Sequence, residues 1–62
     1  MTHKETLNLV DELYEAKMFD SLERMKHNLI RKDQFVDLRI DDKKVYIRIE
    51  NYLLKKLKEL IQ

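Results

Sequence analysis

The sequence predicts an α+β fold. It reads as a small αββα unit with a long N-terminal helix, a β-hairpin and a short C-terminal helix, assembled as an intertwined or helix-packed homodimer. Three observations carry this expectation. Leu7, Val10, Tyr14, Met18, Leu22, Met25 and Leu29 recur at steps of three and four, the period of one helix face. The arms Phe35–Ile40 and Val45–Ile49 both alternate apolar and polar residues and match in register across DDKK. Leu53, Leu54, Leu57, Leu60 and Ile61 then form a closing apolar arc.

Thr2 followed by Glu5 is a capping-box pattern, so a helix is expected from His3. At 100° per residue the apolar stripe stays within roughly 120° of arc. Acids dominate its start (Glu5, Asp11, Glu12, Glu15) and Arg31 and Lys32 end it, as the helix dipole favours. The reading is one helix over residues 3–32, about 45 Å long. The alternative is a break near Phe19–Ser21, with Asp20 and Glu23 capping a second helix. The unbroken form is preferred because the stripe keeps its phase and no Gly is present to end a first helix.

In the hairpin, strands at 35–40 and 45–49 pair Ile40 with Val45, Leu38 with Ile47 and Val36 with Ile49, all on one face. Asp37, Arg39, Tyr46 and Arg48 lie on the other. The turn is Asp42-Lys43 or a looser Asp41–Lys44 loop. Asn51 is the expected N-cap of a helix over 51–61, with Tyr52 facing water. Each arm spans about 20 Å and covers only part of the long helix. The apolar residues left over, Leu9, Val10, Leu13, Tyr14, Met18 and Phe19, are therefore expected at a dimer interface.

Length and composition narrow the function. The 62 residues make one domain, of a size that is marginal without a staple. There is no Cys, hence no disulfide or thiolate metal site, and oligomerisation is the staple that remains. Charged residues make up 40% of the chain, and the net charge is +1. The charge is segregated: residues 1–23 hold two bases against six acids, and residues 24–62 eleven bases against six acids. No apolar run reaches the roughly 20 residues of a membrane span. MTHKETLNL lacks a signal-peptide apolar region. A cytoplasmic protein with no membrane association is expected. The Lys, Ile, Asn and Tyr usage suits a bacterial, phage or mobile-element product.

Chemistry is not signalled. His3 and His27 lie in no metal-ligand spacing. Ser21 has no neighbouring base, and no glycine exists to form a phosphate loop. No catalytic residue, metal or cofactor is expected, and the protein is not expected to be an enzyme. What remains is surface. Arg39, Lys43, Lys44, Tyr46 and Arg48 would present guanidinium groups, amines and a phenol on a ribbon, suited to an acidic protein surface or to nucleic acid.

KVYIRIENYLLKKLKELI, residues 44–61, resembles the opening of ribbon-helix-helix repressors, in which an alternating strand runs into an amphipathic helix. The resemblance implies a dimeric ribbon in the DNA major groove, with Lys44, Tyr46 and Arg48 reading bases and Leu53, Leu54 and Leu57 in the dimer core. It extends over under a third of the sequence, and the family's second helix has no counterpart after it.

The expected function is thus a small non-enzymatic regulatory or inhibitory protein that binds a macromolecular partner, with a protein partner first. The alternatives are a DNA-binding regulator using the outer hairpin face and sequestration of a small anionic ligand at a dimer interface.

Overall fold

The computed structural model describes residues 1–31 and 34–61. The regular elements of the described chain are all helical: α1 (His3–Glu15), α2 (Phe19–Leu29), a single 3₁₀ turn (Phe35–Asp37) and α3 (Ile40–Ile61). All three α-helices touch one another. The molecule measures 35 × 22 × 16 Å, so α3, at about 33 Å, runs its whole length.

Helix α1 starts where the capping box puts it. The Thr2 hydroxyl accepts from the Glu5 amide at 3.1 Å, and the Glu5 carboxylate accepts from the Thr2 amide at 3.4 Å. The expected continuous helix over residues 3–32 does not form. Helix α1 stops at Glu15, and Lys17 takes a left-handed conformation, φ 59°. The Lys17 amide donates to the Tyr14 carbonyl (3.0 Å) and the Met18 amide to the Leu13 carbonyl (2.9 Å). That is a Schellman closure. A non-glycine residue there costs about 1–2 kcal/mol, so the lack of glycine does not forbid the break. Packing α1 and α2 side by side on α3 offsets the strain. The break falls two to three residues before the alternative position at Asp20, and Met18 caps α2 without a side-chain bond. Lys32 lies outside the described residues.

The hairpin is the larger correction. Among the described residues there is no strand. Phe35–Asp37 is a 3₁₀ turn, and Ile40–Ile61 is one helix that absorbs the predicted turn, second strand and final helix. Asn51, the expected N-cap, lies in mid-helix. Val45, Ile49, Tyr52, Leu53 and Lys56 recur at helical steps of four, three, one and three, and this phase runs unbroken through both predicted elements. The alternation in VYIRI spans five residues, too few to outweigh it. A tight hairpin turn also wants positive φ at Asn or Gly, which DDKK does not supply. Asp41 and Asp42 instead sit in the first turn of α3, where the dipole favours them. The ribbon-helix-helix resemblance loses its strand for the same reason.

The core is small: Val10 from α1, Leu22 from α2, and Val45 and Ile49 from α3. Leu7, Leu13, Met25, Leu29 and Leu53 pack around it. An aromatic chain crosses all three helices on one side. Tyr52 stacks on Tyr14 at 4.1 Å, and Tyr14 meets Phe19 edge-on at 6.1 Å. Lys56 lies over the Phe19 ring at 4.6 Å.

Two substitutions separate helix from hairpin. In the hairpin register Ile47 and Ile49 are equally buried, but in the helix Ile49 is fully buried and Ile47 is 48% exposed. Ile49→Ala is expected to cost about 2–4 kcal/mol, and Ile47→Ala under about 1 kcal/mol, measured by urea unfolding. At the break, Lys17→Gly is expected to stabilise by up to about 1 kcal/mol and Lys17→Val to destabilise. Both effects would be read as shifts in thermal midpoint.

Candidate functional site

Helix α3 buries one side, and its other side is where the candidate site lies. Ile40 (72% exposed), Ile47 (48%), Leu54 (52%) and Ile61 (78%) follow one another at intervals of seven along its outer face. Leu57 (53%) adds to the lower end. Neither α1 nor α2 covers this line. At about 20 and 17 Å respectively, both lie against the opposite side of α3, where Val45 and Ile49 are buried.

Beside the aliphatic line runs a basic one. Lys44, Arg48, Asn51, Lys55 and Lys58 recur at steps of four, three, four and three, which places them on one flank of the helix. They border an open groove between α3 and α1, whose far wall includes Leu7 and Asp11. Inside it Arg48 Nη1 stands 3.3 and 3.4 Å from the two oxygens of Asp11, and the Tyr52 hydroxyl donates to Asp11 Oδ1 at 2.5 Å. This trio ties α1 to α3. Lys44, Asn51, Lys55 and Lys58 are exposed along the rim; Lys55 also lies 5.7 Å from the centre of the Tyr52 ring.

The Tyr52 phenol is held above its usual pKa of 10.0, first by the hydrogen bond to Asp11 and then by burial and the Asp11 charge, with Arg48 opposing. Tyr46 is also raised, first by burial and then by Glu50 one turn on.

The residues expected to contact a partner do not form one surface. Lys44 and Arg48 share the basic flank of α3. Tyr46 turns to another flank, against Phe35 at 5.1 Å, with Lys43 over the same Phe35 ring at 5.9 Å. Arg39 is exposed just ahead of α3, near Met1 and His3. The ribbon that would have aligned all five is absent among the described residues. Of the residues expected at a dimer interface, Val10 is in the core, and Leu13, Tyr14 and Phe19 pack against it within the chain. Leu9 is half-buried, and Met18 is exposed at the turn. The length mismatch that pointed to a second chain is also gone, because neither the continuous helix nor the short hairpin exists.

Two features escaped the sequence reading. The seven-residue series Ile40, Ile47, Leu54, Ile61 was visible as spacing, but the hairpin and the closing helix divided it between two elements. The Asp11–Arg48–Tyr52 trio joins residues 37 and 41 positions apart, and no local pattern signals it. Among the described residues, no group of three or more His, Cys, Asp or Glu side chains is placed to hold a metal ion. No helix described is long and apolar enough to cross a membrane. Comparison with protein-family models, with curated proteins and with solved structures finds no match to the chain.

The trio gives a pH-dependent prediction. The folded state holds the Tyr52 proton more tightly than the unfolded chain does. Its stabilisation is therefore complete below pH 10.0 and is lost as the pH rises through the raised folded value. Tyr52→Phe keeps the stack on Tyr14 but is expected to cost about 1 kcal/mol at neutral pH, lowering the thermal midpoint by roughly 4–8 °C. The variant should also lose less stability than wild type between about pH 9 and 11. Equal slopes in the two proteins would refute the coupling.

Proposed function

We propose that this chain is a small non-enzymatic protein that regulates another macromolecule by docking on it, and that the partner is a protein. The observation that carries this reading is the aliphatic line on the outer face of α3. Scattered surface aliphatics are ordinary. Four of them at a fixed interval of seven, each about half or more exposed, form a regularly spaced row on one face, as the anchor residues of helical interfaces do. The ridge takes nothing from the fold's own stability, since the core and the aromatic chain lie on the other side of α3.

A protein partner is favoured over nucleic acid because a phosphate backbone would meet the lysines and leave the ridge in water. The β-ribbon mode of reading DNA has no ribbon to use. Docking in place of catalysis accords with the site's make-up: aliphatics, amines and amides, with its one carboxylate, Asp11, already engaged by Arg48 and Tyr52.

The double substitution Ile47→Ser/Leu54→Ser tests this. Both side chains are about half exposed, so circular dichroism should show the native helix content and a thermal midpoint within a few degrees of wild type. Used as bait in lysate of the source cells, wild type is expected to retain a protein that the variant does not. Retention of the same proteins by both baits would sink the reading. So would salt-sensitive binding of random duplex DNA that the variant preserves.

A further inference from the structure

We infer that the occupant of the outer face of α3 is an acidic amphipathic helix of another protein. Its apolar seam would lie along Ile40, Ile47, Leu54 and Ile61, and its carboxylates would meet Lys44, Lys55 and Lys58. This rests on the docking role proposed above and names the chemistry of the partner.

The spacing sets the shape. Residues seven apart on a straight α-helix drift by about 20° per repeat. The ridge therefore winds slowly around α3 over three repeats, from Ile40 to Ile61, and a second helix crossing at a shallow left-handed angle follows it. The contact length is about 31 Å at 1.5 Å per residue, which calls for a partner helix of about 21 residues.

Charge sets the partner's chemistry. Lys44, Lys55 and Lys58 are exposed along one side of the ridge, and none of the ion pairs among the described residues uses them. Of the acids near this face, Asp11 pairs with Arg48 and Glu50 with Lys26 at 3.9 Å, and Glu59, four residues after Lys55, is the one left to offset the three lysines. A helix with Asp or Glu along the matching edge would neutralise the row and screen the ridge from water.

The same charges argue against a second copy of this chain. Two α3 helices paired antiparallel about Asn51 would set Lys44 of one against Lys58 of the other, at both ends. Paired in parallel, Lys44 would face Arg39 or Tyr46, and again no acid. A lipid surface fits less well. Asn51 and Lys58 interrupt the outward line between the aliphatics, and none of its residues is an aromatic anchor.

The test uses the whole chain and two synthetic peptides of about 21 residues, each with Leu and Ile at the seam of three heptads. One carries Glu on both flanks of the seam and the other Lys. Fluorescence anisotropy at low salt is expected to show the Glu peptide binding at least about tenfold more tightly than the Lys peptide, with the gap narrowing as salt is added. Ile47→Ser/Leu54→Ser should abolish binding. Lys44→Glu/Lys58→Glu, with circular dichroism confirming its fold, should reverse the preference between peptides.

Equal affinity for the two peptides would overturn the inference, as would no binding of either. In the second case the lysate experiment separates the failures: a protein still lost by the serine variant leaves the docking face standing with a different partner, and no such protein removes the face as well. Sedimentation showing a wild-type dimer that the serine variant lacks would make a second copy the occupant. Binding to phosphatidylglycerol vesicles that the serine variant loses would make it a lipid surface. Either result overturns the acidic helix.

Discussion

The fold depends on a reversal of direction made without glycine. Between Glu15 and Phe19 the chain turns back through one left-handed residue, Lys17, closed by amide-to-carbonyl bonds from Lys17 to Tyr14 and from Met18 to Leu13. Had the helix continued, residues 3–29 would form a rod longer than α3. Val10 and Leu22 would then be too far apart to meet Val45 and Ile49 in one core. The strain at Lys17, about 1–2 kcal/mol, is set against the burial of these side chains, each worth roughly 1.5–3 kcal/mol. The burial wins, and a local rule about helix C-caps yields to packing.

Once α1 and α2 lie side by side, α3 is committed on one side only. Its inner side is held three ways: by Val45 and Ile49 in the core, by Tyr52 on Tyr14, and by Arg48 and Tyr52 on Asp11. The polar hold differs in kind from the apolar one. Asp11 accepts from two groups of α3 in a half-exposed setting, where an ion pair alone contributes little but a hydrogen-bonded phenol fixes rotation. Turning α3 about its axis would break the Tyr52–Asp11 bond before it exposed the core. The outer face is therefore presented in a fixed orientation, which the docking role proposed for it would require.

The sequence made the start of α1 legible down to its cap, because Thr2 and Glu5 act locally. It also showed the apolar stripe of α1 and α2, and hence that both are helical, since three- and four-residue steps survive a break that preserves phase. The break itself was legible only as an alternative, because what ends α1 is a residue whose type disfavours the conformation it adopts. Residues 35–61 misled for a physical reason. Val45, Ile47 and Ile49 satisfy a period of two, and Val45, Ile49 and Tyr52 satisfy 3.6; a five-residue window cannot choose between them. Extending the window to Lys56 decides for the helix. The missing Gly or Asn in DDKK pointed the same way. Of the residues expected to contact a partner, Lys44 and Arg48 lie beside the aliphatic line, on a helix flank instead of a ribbon. The aliphatic ridge was hidden by being apportioned to a buried face that does not exist.

The charge asymmetry along the chain acquires a spatial meaning in this arrangement. The acidic N-terminal stretch and the basic C-terminal one lie together as α1 against α3, and the pairs that cross between them are few: Asp11 with Arg48, and His3 near Asp41 at 4.0 Å. Internal neutralisation between α1 and α3 thus uses Arg48 from the basic flank, and Lys44, Lys55 and Lys58 are in none of the ion pairs among the described residues. A chain selected for stability alone could have placed Glu among them at four-residue spacing, gaining a few tenths of a kcal/mol per pair. Glu59 stands four residues after Lys55 and Asp41 three before Lys44, while Lys58 has no acid at either step. The sequence therefore keeps two costly features on one face, exposed aliphatics and an excess of like charge, and both are relieved by the same event, the approach of an apolar and acidic surface. A common remedy for two separate penalties is what supports the binding role proposed for this side of α3.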